Sequence, residues 1–442
     1  MDRLRVMLSG RGGVSAYEIY ILRKTGLRIE TRLGECLVCN NEASSVIALR
    51  VLMDGRLGIA SVRNFDPSFL EPLIDDAISS SQLNSGSEPV DLAPMTFDLS
   101  PSRGWMEDPT YSRIETDEKL NKVQNLEAHL RRVSPLIPGS GRIRYKEQKR
   151  EEWLWTPGSP RVLELRRTRA DLHVTAVASD GSHWSTASAK AAETQYYNMD
   201  WAGVARSAAQ TALVHLAPRR LDTGNMPVIF SQRAAALLVA ELAKLFRGDV
   251  HGGRDSWFFK SRSKAVFGST LHLLDDPHFS KRPGSLPWDA DGSPTQRLVL
   301  IESGHPLALA HNRASGVKHG AQSTGHSLRV RPERSPEVGF HNVFVEPSHL
   351  DLVDLLRRMG RGLHVSDLWG LESVDRSTGE FCLQGRGSWV EDGQQAYSVA
   401  PFEIRMTLKE LFARVEAVGR DLYWGSQAGS PSLLCGPISV AG

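Results

Sequence analysis

Gly284-Ser285-Leu286-Pro287-Trp288-Asp289-Ala290-Asp291-Gly292-Ser293-Pro294-Thr295-Gln296-Arg297 runs directly into Leu298-Val299-Leu300-Ile301-Glu302-Ser303-Gly304. The first part is a polar loop carrying two turn signals, Asp-Gly and Ser-Pro; the second is a short apolar strand closed by another turn. On spacing alone this is a structural hairpin, since such turns are common.

Upstream, 227–230 reads as a short buried strand. Ser231 then caps a helix whose apolar positions Ala235, Leu238, Val239, Leu242, Ala243 and Phe246 keep a helical period. Downstream, His305, His311, His319, His326, His341, His349 and His364 crowd the second half. None stands at a helical i, i+4 pairing with a glutamate between, so exposed or packed histidines are the default. Ser348 is expected to cap a helix over 350–361. Strands are expected over 365–369, 379–387, 388–391 and 396–399, then a helix over 408–418.

Toward the N-terminus, apolar–polar alternation over 17–24, 27–33 and 45–53 predicts strands. Asp54-Gly55 is a hairpin turn into 57–61, and Asp66-Pro67 starts a helix. Residues 79–109 shift to Ser, Gly, Pro and Asp, a linker composition. A polar helix follows over 117–133, then strands over 143–155 and 162–178, and a helix over 201–216 in which His215 is a packed histidine. Arg142, Arg144, Lys146, Lys149, Arg150, Arg161, Arg166, Arg167 and Arg169 load those two strands. A groove for an acidic partner is one reading. A solvated sheet face is favoured, because Glu147, Glu151, Glu152, Glu164 and Asp171 are interleaved and can pair across strands. The expected class is α+β: an N-terminal strand meander closed by a helix (1–80), a linker (81–110), a central strand/helix segment (111–224) and a larger mixed, β-rich C-terminal domain (225–442).

The 442 residues hold 53 basic and 51 acidic side chains, a near balance that gives no support to nucleic-acid or membrane binding. Four cysteines are too few and too scattered for a disulfide framework. Cys36-Leu37-Val38-Cys39 lacks the second pair a zinc site needs and reads as half-buried strand thiols. No apolar run reaches membrane-spanning length and no signal-peptide core opens the chain, so a cytoplasmic protein is expected.

The order of residues adds what spacing does not. Gly284-Ser285, then Asp289-x-Asp291-Gly292-x-Pro294-Thr295-x-Arg297, then an apolar run closed by Ile301-Glu302-x-Gly304, resembles the TldD/TldE (PmbA) family, once labelled modulators of DNA gyrase. The resemblance extends to the Asp54-Gly55-Arg56-Leu57-Gly58 turn, the Asp66-Pro67 helix start, Gly379-Glu380-Phe381, Glu391-Asp392-Gly393 and the ending Ser430-Pro431-Ser432-Leu433-Leu434. It implies two-subunit metalloproteases in which one subunit carries zinc and the other resembles it without the metal site.

In metal-bearing members the helix after the 227–230 strand carries His-Glu-x-x-x-His. Aligning Gly248-Asp249 puts Val239 and Ala240 at His-Glu and Lys244 at the second His, and 216–250 contains no histidine. A protonated lysine repels a dication, and Glu241 alone does not hold zinc. The family's further thiolate ligand lies in a glycine-rich insertion near the C-terminus; here 425–431 contains no cysteine, and Cys435 reads as a strand residue. The resemblance therefore implies the metal-free TldE type: no catalytic residue and no metal on this chain, zinc on a TldD-type partner, and an unfolded or extended peptide, such as a natural-product precursor, as substrate of the pair. Asp289, Asp291, Gly292, Thr295 and Arg297 are the candidate peptide-path residues. Equally, Arg297 and Asp291 merely pin the loop to its own domain. Two alternatives stay open: a peptide-binding, chaperone-like homo-oligomer, and a stand-alone hydrolase with an unrecognised metal site.

Overall fold

Two positive-φ residues, Leu33 and Gly34, make the tight turn that folds β1 (Val14–Arg32) onto β2 (Glu35–Met53). In this computed structural model residues 1–63, 65–84, 86, 92, 104–425 and 428–442 are described. A helix not foreseen from the sequence, α1 (Asp2–Ser9), precedes the hairpin. The expected runs 17–24 and 27–33 are one strand. Gly26 lies between them, at a point where a Cβ would come within 2.5 Å of the Glu147 carbonyl oxygen on the neighbouring strand. Only glycine lets the backbones approach this closely, so the strand continues through it.

Asp54 and Gly55, both at positive φ, turn the chain into β3 (Arg56–Val62). The Asp66 carboxylate accepts from the Ser68 N–H at 2.8 Å and opens a short turn leading into α2 (Leu70–Leu83). Most of the expected 81–110 linker lies outside the described residues. Its end is anchored: Asp108 is buried, its carboxylate accepting from the Tyr196 N–H and its own N–H donating to Thr168 Oγ1, both at 2.7 Å. After α3 (Thr116–Arg131) come β4 (Gly139–Trp155), β5 (Leu163–Ser179), β6 (Trp184–Glu193) and α4 (Trp201–Val214).

The expected separation of 1–80 from 111–224 does not describe how the strands pair. One antiparallel sheet runs β3-β2-β1-β4-β5-β6, joining both segments through the long β1–β4 register. One face is covered in two patches. Leu73, Ile74 and Ala77 of α2 pack with Ile19, Leu49 and Val51 at one end; Val123 and Leu126 of α3 and Ala205, Ala208 and Ala212 of α4 pack with Ile29, Tyr145 and Val174 at the other. The opposite face meets the C-terminal half through Tyr20, Leu22, Leu154 and Leu165, which pack with Leu286 and Trp288 of the 284–297 loop.

The C-terminal half is built on β7 (Gly224–Phe230) and α5 (Gln232–Lys244), with Ser231 Oγ accepting from the Ala234 N–H. β7 is central in a six-stranded sheet, parallel to Gly362–Trp369 and antiparallel to Leu433–Ala441. β8 (Leu273–Asp275) and β9 (Leu298–Glu302) belong to a second sheet. The largest core cluster includes Ala235, Leu238, Val239 and Leu242 of α5 together with Phe230, Leu273, Leu300, Val343 and Val345 from the sheets. The strands expected over 379–387 and 388–391 are one, Glu380–Glu391. Asp351, not Ser348, caps Leu352–Met359 in a reciprocal box with Asp354; Ser348 instead donates to the Val418 carbonyl. The expected 408–418 helix is one short helix, Leu408–Ala413, followed by a strand, Val415–Val418, whose alternate residues complete the sheet edge.

Candidate functional site

A cavity of about 520 Å³ opens where the inner face of the N-terminal sheet meets the C-terminal half. Its walls include β4 and β5 with Tyr20 of β1, the C-terminal turns of α5, residues 282–290, the segments 327–330 and 337–343, and Trp424. Ala240 and Lys244 of α5 line it, while Val239 is turned into the core with no exposure. Lys244 Nζ donates to both Glu241 oxygens, at 2.6 and 2.7 Å, so the lysine is neutralised within its own helix. A second cavity of about 430 Å³ adjoins the first, sharing Ala240, Gly425 and Ala428.

The sheet side of the cavity is ionic. The strand period of two puts Tyr20, Leu22 and Lys24 on the same face as Arg150, Glu152 and Leu154 and as Leu165, Arg167 and Arg169. Tyr20 Oη donates to Glu152 Oε2 at 2.6 Å, and Arg167 Nη2 reaches Glu152 Oε1 at 3.0 Å. Arg150 approaches that oxygen to 3.2 Å without hydrogen-bond alignment. Burial alone would raise the Glu152 carboxyl, but Arg167 and Arg150 outweigh it and hold it at about 2. Burial pushes the Arg167 guanidinium below its ordinary value, with Glu152 opposing. These arginines are therefore not on a solvated sheet face. The solvated description fits Arg166 with Glu164, while Glu152 serves Arg150 and Arg167 beneath the C-terminal half.

The 284–297 loop is a buried, internally bonded knot. Asp289 accepts from the backbone N–H groups of Asp291 (3.0 Å), Ser293 (2.9 Å) and Ser327 (3.0 Å). Burial, and then the charge of Asp291, raise its carboxyl to about 8 against the pull of those donors. Gly292 sits at φ 73° in the turn. Thr295 Oγ1 donates to the Leu286 carbonyl at 2.5 Å, and His278 Nε2 lies 3.1 Å from it. Of the five loop candidates, only Asp289 lines the cavity; Asp291 and Thr295 are tied into the loop's own support, and Arg297 is exposed.

Asp291 is pinned, but not by Arg297. Arg50 of β2 grips Glu18 of β1 through two nitrogens and extends to Asp291 Oδ1 at 3.4 Å, while Arg329 Nη2 meets Glu18 Oε1 at 2.7 Å. The loop is thus fastened across to the N-terminal sheet rather than only to its own domain. Burial would raise the Glu18 carboxyl, but Arg329 and Arg50 hold it below its ordinary value. No periodicity announces these partners, because they come from positions 18, 50, 291 and 329.

The histidines of the second half are mostly packed. His326 and Asp275 are wholly buried, 3.1 Å apart, and Asp275 also accepts from the backbone N–H groups of His341 and Asn342. Burial lowers His341 and His364, each to about 4. His215 Nε2 lies 2.7 Å from Ser366 Oγ. Among the described residues, no three His, Cys, Asp or Glu side chains converge as a metal-ligand set. Cys435 is a fully buried residue of the Leu433–Ala441 strand, opposite Val228, and burial pushes its thiol up. Residues 426 and 427 of the expected glycine-rich segment lie outside the described residues. Cys36 and Cys39, expected to be half-buried, are exposed near the free end of the β1–β2 hairpin. Among the described residues no helix is long and apolar enough to cross a membrane.

Comparison with known proteins bears on this arrangement. A family model described as the PmbA/TldA metallopeptidase C-terminal domain matches residues 223–442. The metalloprotease PmbA of Escherichia coli O157:H7 is 24% identical over 433 residues, covering 96% of this chain and 92% of its own. A PmbA homologue of Haemophilus influenzae is 30% identical over 243 residues, about half of each chain. Among solved structures, TldE from Thermococcus kodakarensis superposes with a TM-score of 0.88 at 19% identity, covering 100% of both chains. A putative modulator of DNA gyrase from Thermotoga maritima gives the same TM-score and identity, covering 100% of this chain and 99% of its own.

Proposed function

Since the chain belongs to the PmbA/TldD/TldE family of metallopeptidase-like proteins, we propose that it is the non-catalytic, TldE-type subunit of a cytoplasmic heteromeric peptidase. Its TldD-type partner would carry the zinc and the peptide-cleaving chemistry. The observation that carries this reading is the face α5 turns to the large cavity. Ala240 stands there without a donor atom, and the Lys244 ammonium is bonded to Glu241. Val239 points into the core.

These residues do not fit a zinc ion, which requires neutral imidazole, thiolate or carboxylate ligands converging at about 2.0–2.3 Å. The chain's contribution is then to bury surface against its partner and to form one wall of the path taken by an extended peptide. Asp289, at the cavity wall, supports a part for the loop in that wall.

Co-expression with a TldD-type chain carrying His-Glu-x-x-x-His tests the proposal. The expected result is a stable complex that hydrolyses an unfolded peptide, while this chain purified alone is inert and contains no stoichiometric zinc. Chelator-sensitive cleavage by the single chain, or failure of the two chains to associate, overturns it.

A further inference from the structure

The charges lining the large cavity do not balance. Seven of its side chains are cationic and three are acidic. The acids are already engaged: Glu152 by Arg167, Glu337 by Arg247, and Asp289 by three backbone N–H groups. Lys244, Arg247 and Arg169 likewise have partners in Glu241, Asp249 and Asp171. What remains is a set of cations that share an acid, have none within ion-pair distance, or keep buried donors without acceptors.

The first part of that set, Arg150 and Arg167, belongs to a like-charge row that begins at Lys24, outside the cavity lining. Lys24, Arg150 and Arg167 stand directly opposite one another on β1, β4 and β5. Like charges directly opposite on neighbouring strands are destabilising, and here Glu152 is shared between two of the three. The second part is Arg282. Its guanidinium stacks 4.6 Å over the Trp424 ring, makes no direct ion pair or side-chain hydrogen bond among the described residues, and has a buried Nε without an acceptor; burial pushes it below its ordinary value, and the charge of Glu193 opposes that only from beyond ion-pair distance. The third is Arg329, whose side chain is only 3% exposed. One of its nitrogens reaches Glu18, while Nε and Nη1 are buried without acceptors. Buried guanidinium donors left unpaired are uncommon in native proteins and costly.

We propose that this cavity is a carboxylate-binding pocket, in which Arg282, Arg167 and Arg150 hold an acidic group of the extended peptide and so bias the pair toward acidic substrates. A carboxylate is planar and accepts two parallel N–H donors, which suits a guanidinium fork. The Trp424 face fixes the plane of Arg282 in advance. An incoming carboxylate relieves the repulsion along the Lys24–Arg150–Arg167 row and supplies the missing acceptors, so the built-in destabilisation favours binding. The source is either a Glu or Asp side chain or the peptide's own C-terminal carboxylate. The inference rests on the peptide-handling function proposed above.

The full chain is titrated calorimetrically with three short peptides: a doubly capped Gly-Glu-Glu-Gly, its Gln-Gln counterpart, and the Gln-Gln peptide with a free C-terminal carboxylate. At least one carboxylate-bearing peptide is expected to bind at least tenfold more tightly than the capped neutral one, and the advantage shrinks as salt is raised. Preference for the first carboxylate peptide identifies a side-chain acid; preference for the third identifies the chain terminus. Arg282→Gln is expected to abolish the advantage while melting at or above the temperature of the unsubstituted chain, since it removes an unpaired half-buried cation. Arg282→Lys, which keeps the charge, retains part of the advantage. Equal affinity for charged and neutral peptides, no binding of any carboxylate peptide, or an unchanged advantage in Arg282→Gln overturns the inference. A chain that discriminates by charge but forms no complex with a zinc-bearing subunit overturns the proposed function alone. An active heteromer without charge discrimination overturns this inference alone.

Discussion

Two ionic clusters lie on the same inner face of the N-terminal sheet, and they are built to opposite ends. At positions 18, 50, 291 and 329, two acids and two arginines are nearly sealed from water and interlocked, with side-chain exposures between 3% and 7%. At positions 24, 150, 152 and 167, a row of three cations has one acid, shared by Arg150 and Arg167, beside an open cavity. The balanced cluster fastens the C-terminal loop to the N-terminal sheet. The unbalanced one keeps part of its charge for something that arrives later. Net charge per cluster, rather than the number of arginines, separates a clamp from a receptor.

The largest effect is expected where the clamp is cut. Glu18→Ala leaves Arg50 and Arg329 buried with too little counter-charge, and should cost about 3–5 kcal/mol in denaturant unfolding, provided the transition is two-state. The pair replacement Glu18→Leu with Arg50→Met should recover only part of that loss: Arg50 is no longer stranded, but Arg329 and Asp291 still lose their partners. If Glu18→Ala alone unfolds at the same denaturant concentration as the unsubstituted chain, the two clusters do not differ as described.

A smaller, pH-dependent effect belongs to Asp289. Its folded-state carboxyl is raised to about 8, above the ordinary 3.8. A raised acid favours folding fully below the unfolded value, and that contribution is lost as pH rises through about 8. Glu152 has the opposite sign: held at about 2 against an ordinary 4.5, it contributes stability above about 4.5 that is lost as pH falls toward 2. Melting temperature between pH 4 and 8 should therefore decline less in Asp289→Asn than in the unsubstituted chain. A parallel decline in both chains would show that the Asp289 carboxyl is ionised throughout.

The smallest effect on stability is expected at Arg297, which is exposed and takes no part in the clamp. Arg297→Ala should shift stability by no more than about 0.5 kcal/mol. Lower peptide turnover by the heteromer at unchanged stability would return the outer arm of the loop to the peptide path. Lost stability with unchanged turnover would mean it pins the loop after all.

Much of the fold is legible in local pattern. The β1–β2 strands, the Asp54-Gly55 turn and α5 follow from alternation, turn chemistry and helical period, because burial on one face imposes those periods. β6 is not legible, for the same physical reason: its Ala- and Ser-rich residues, Trp184–Glu193, carry little apolar contrast between faces. Its place is fixed by ten residue pairs with β5. α1 is eight residues long, too short for a clear stripe. Of the site, the unsuitability of Val239, Ala240 and Lys244 as zinc ligands was visible in residue chemistry alone. The burial of Arg150 and Arg167 was not, since interleaved charges look alike whether a sheet face meets water or another domain.

By itself the sequence determined the strand and helix periods, the α+β class and the lack of any histidine or cysteine on α5, since each is a property of neighbouring residues. Only the tertiary structure decided that Glu18, Arg50, Asp291 and Arg329 meet, and that the cations at 150, 167 and 282 face one cavity. Coulomb interactions depend on distance and on the surrounding dielectric, and neither is fixed until chain segments hundreds of residues apart have packed.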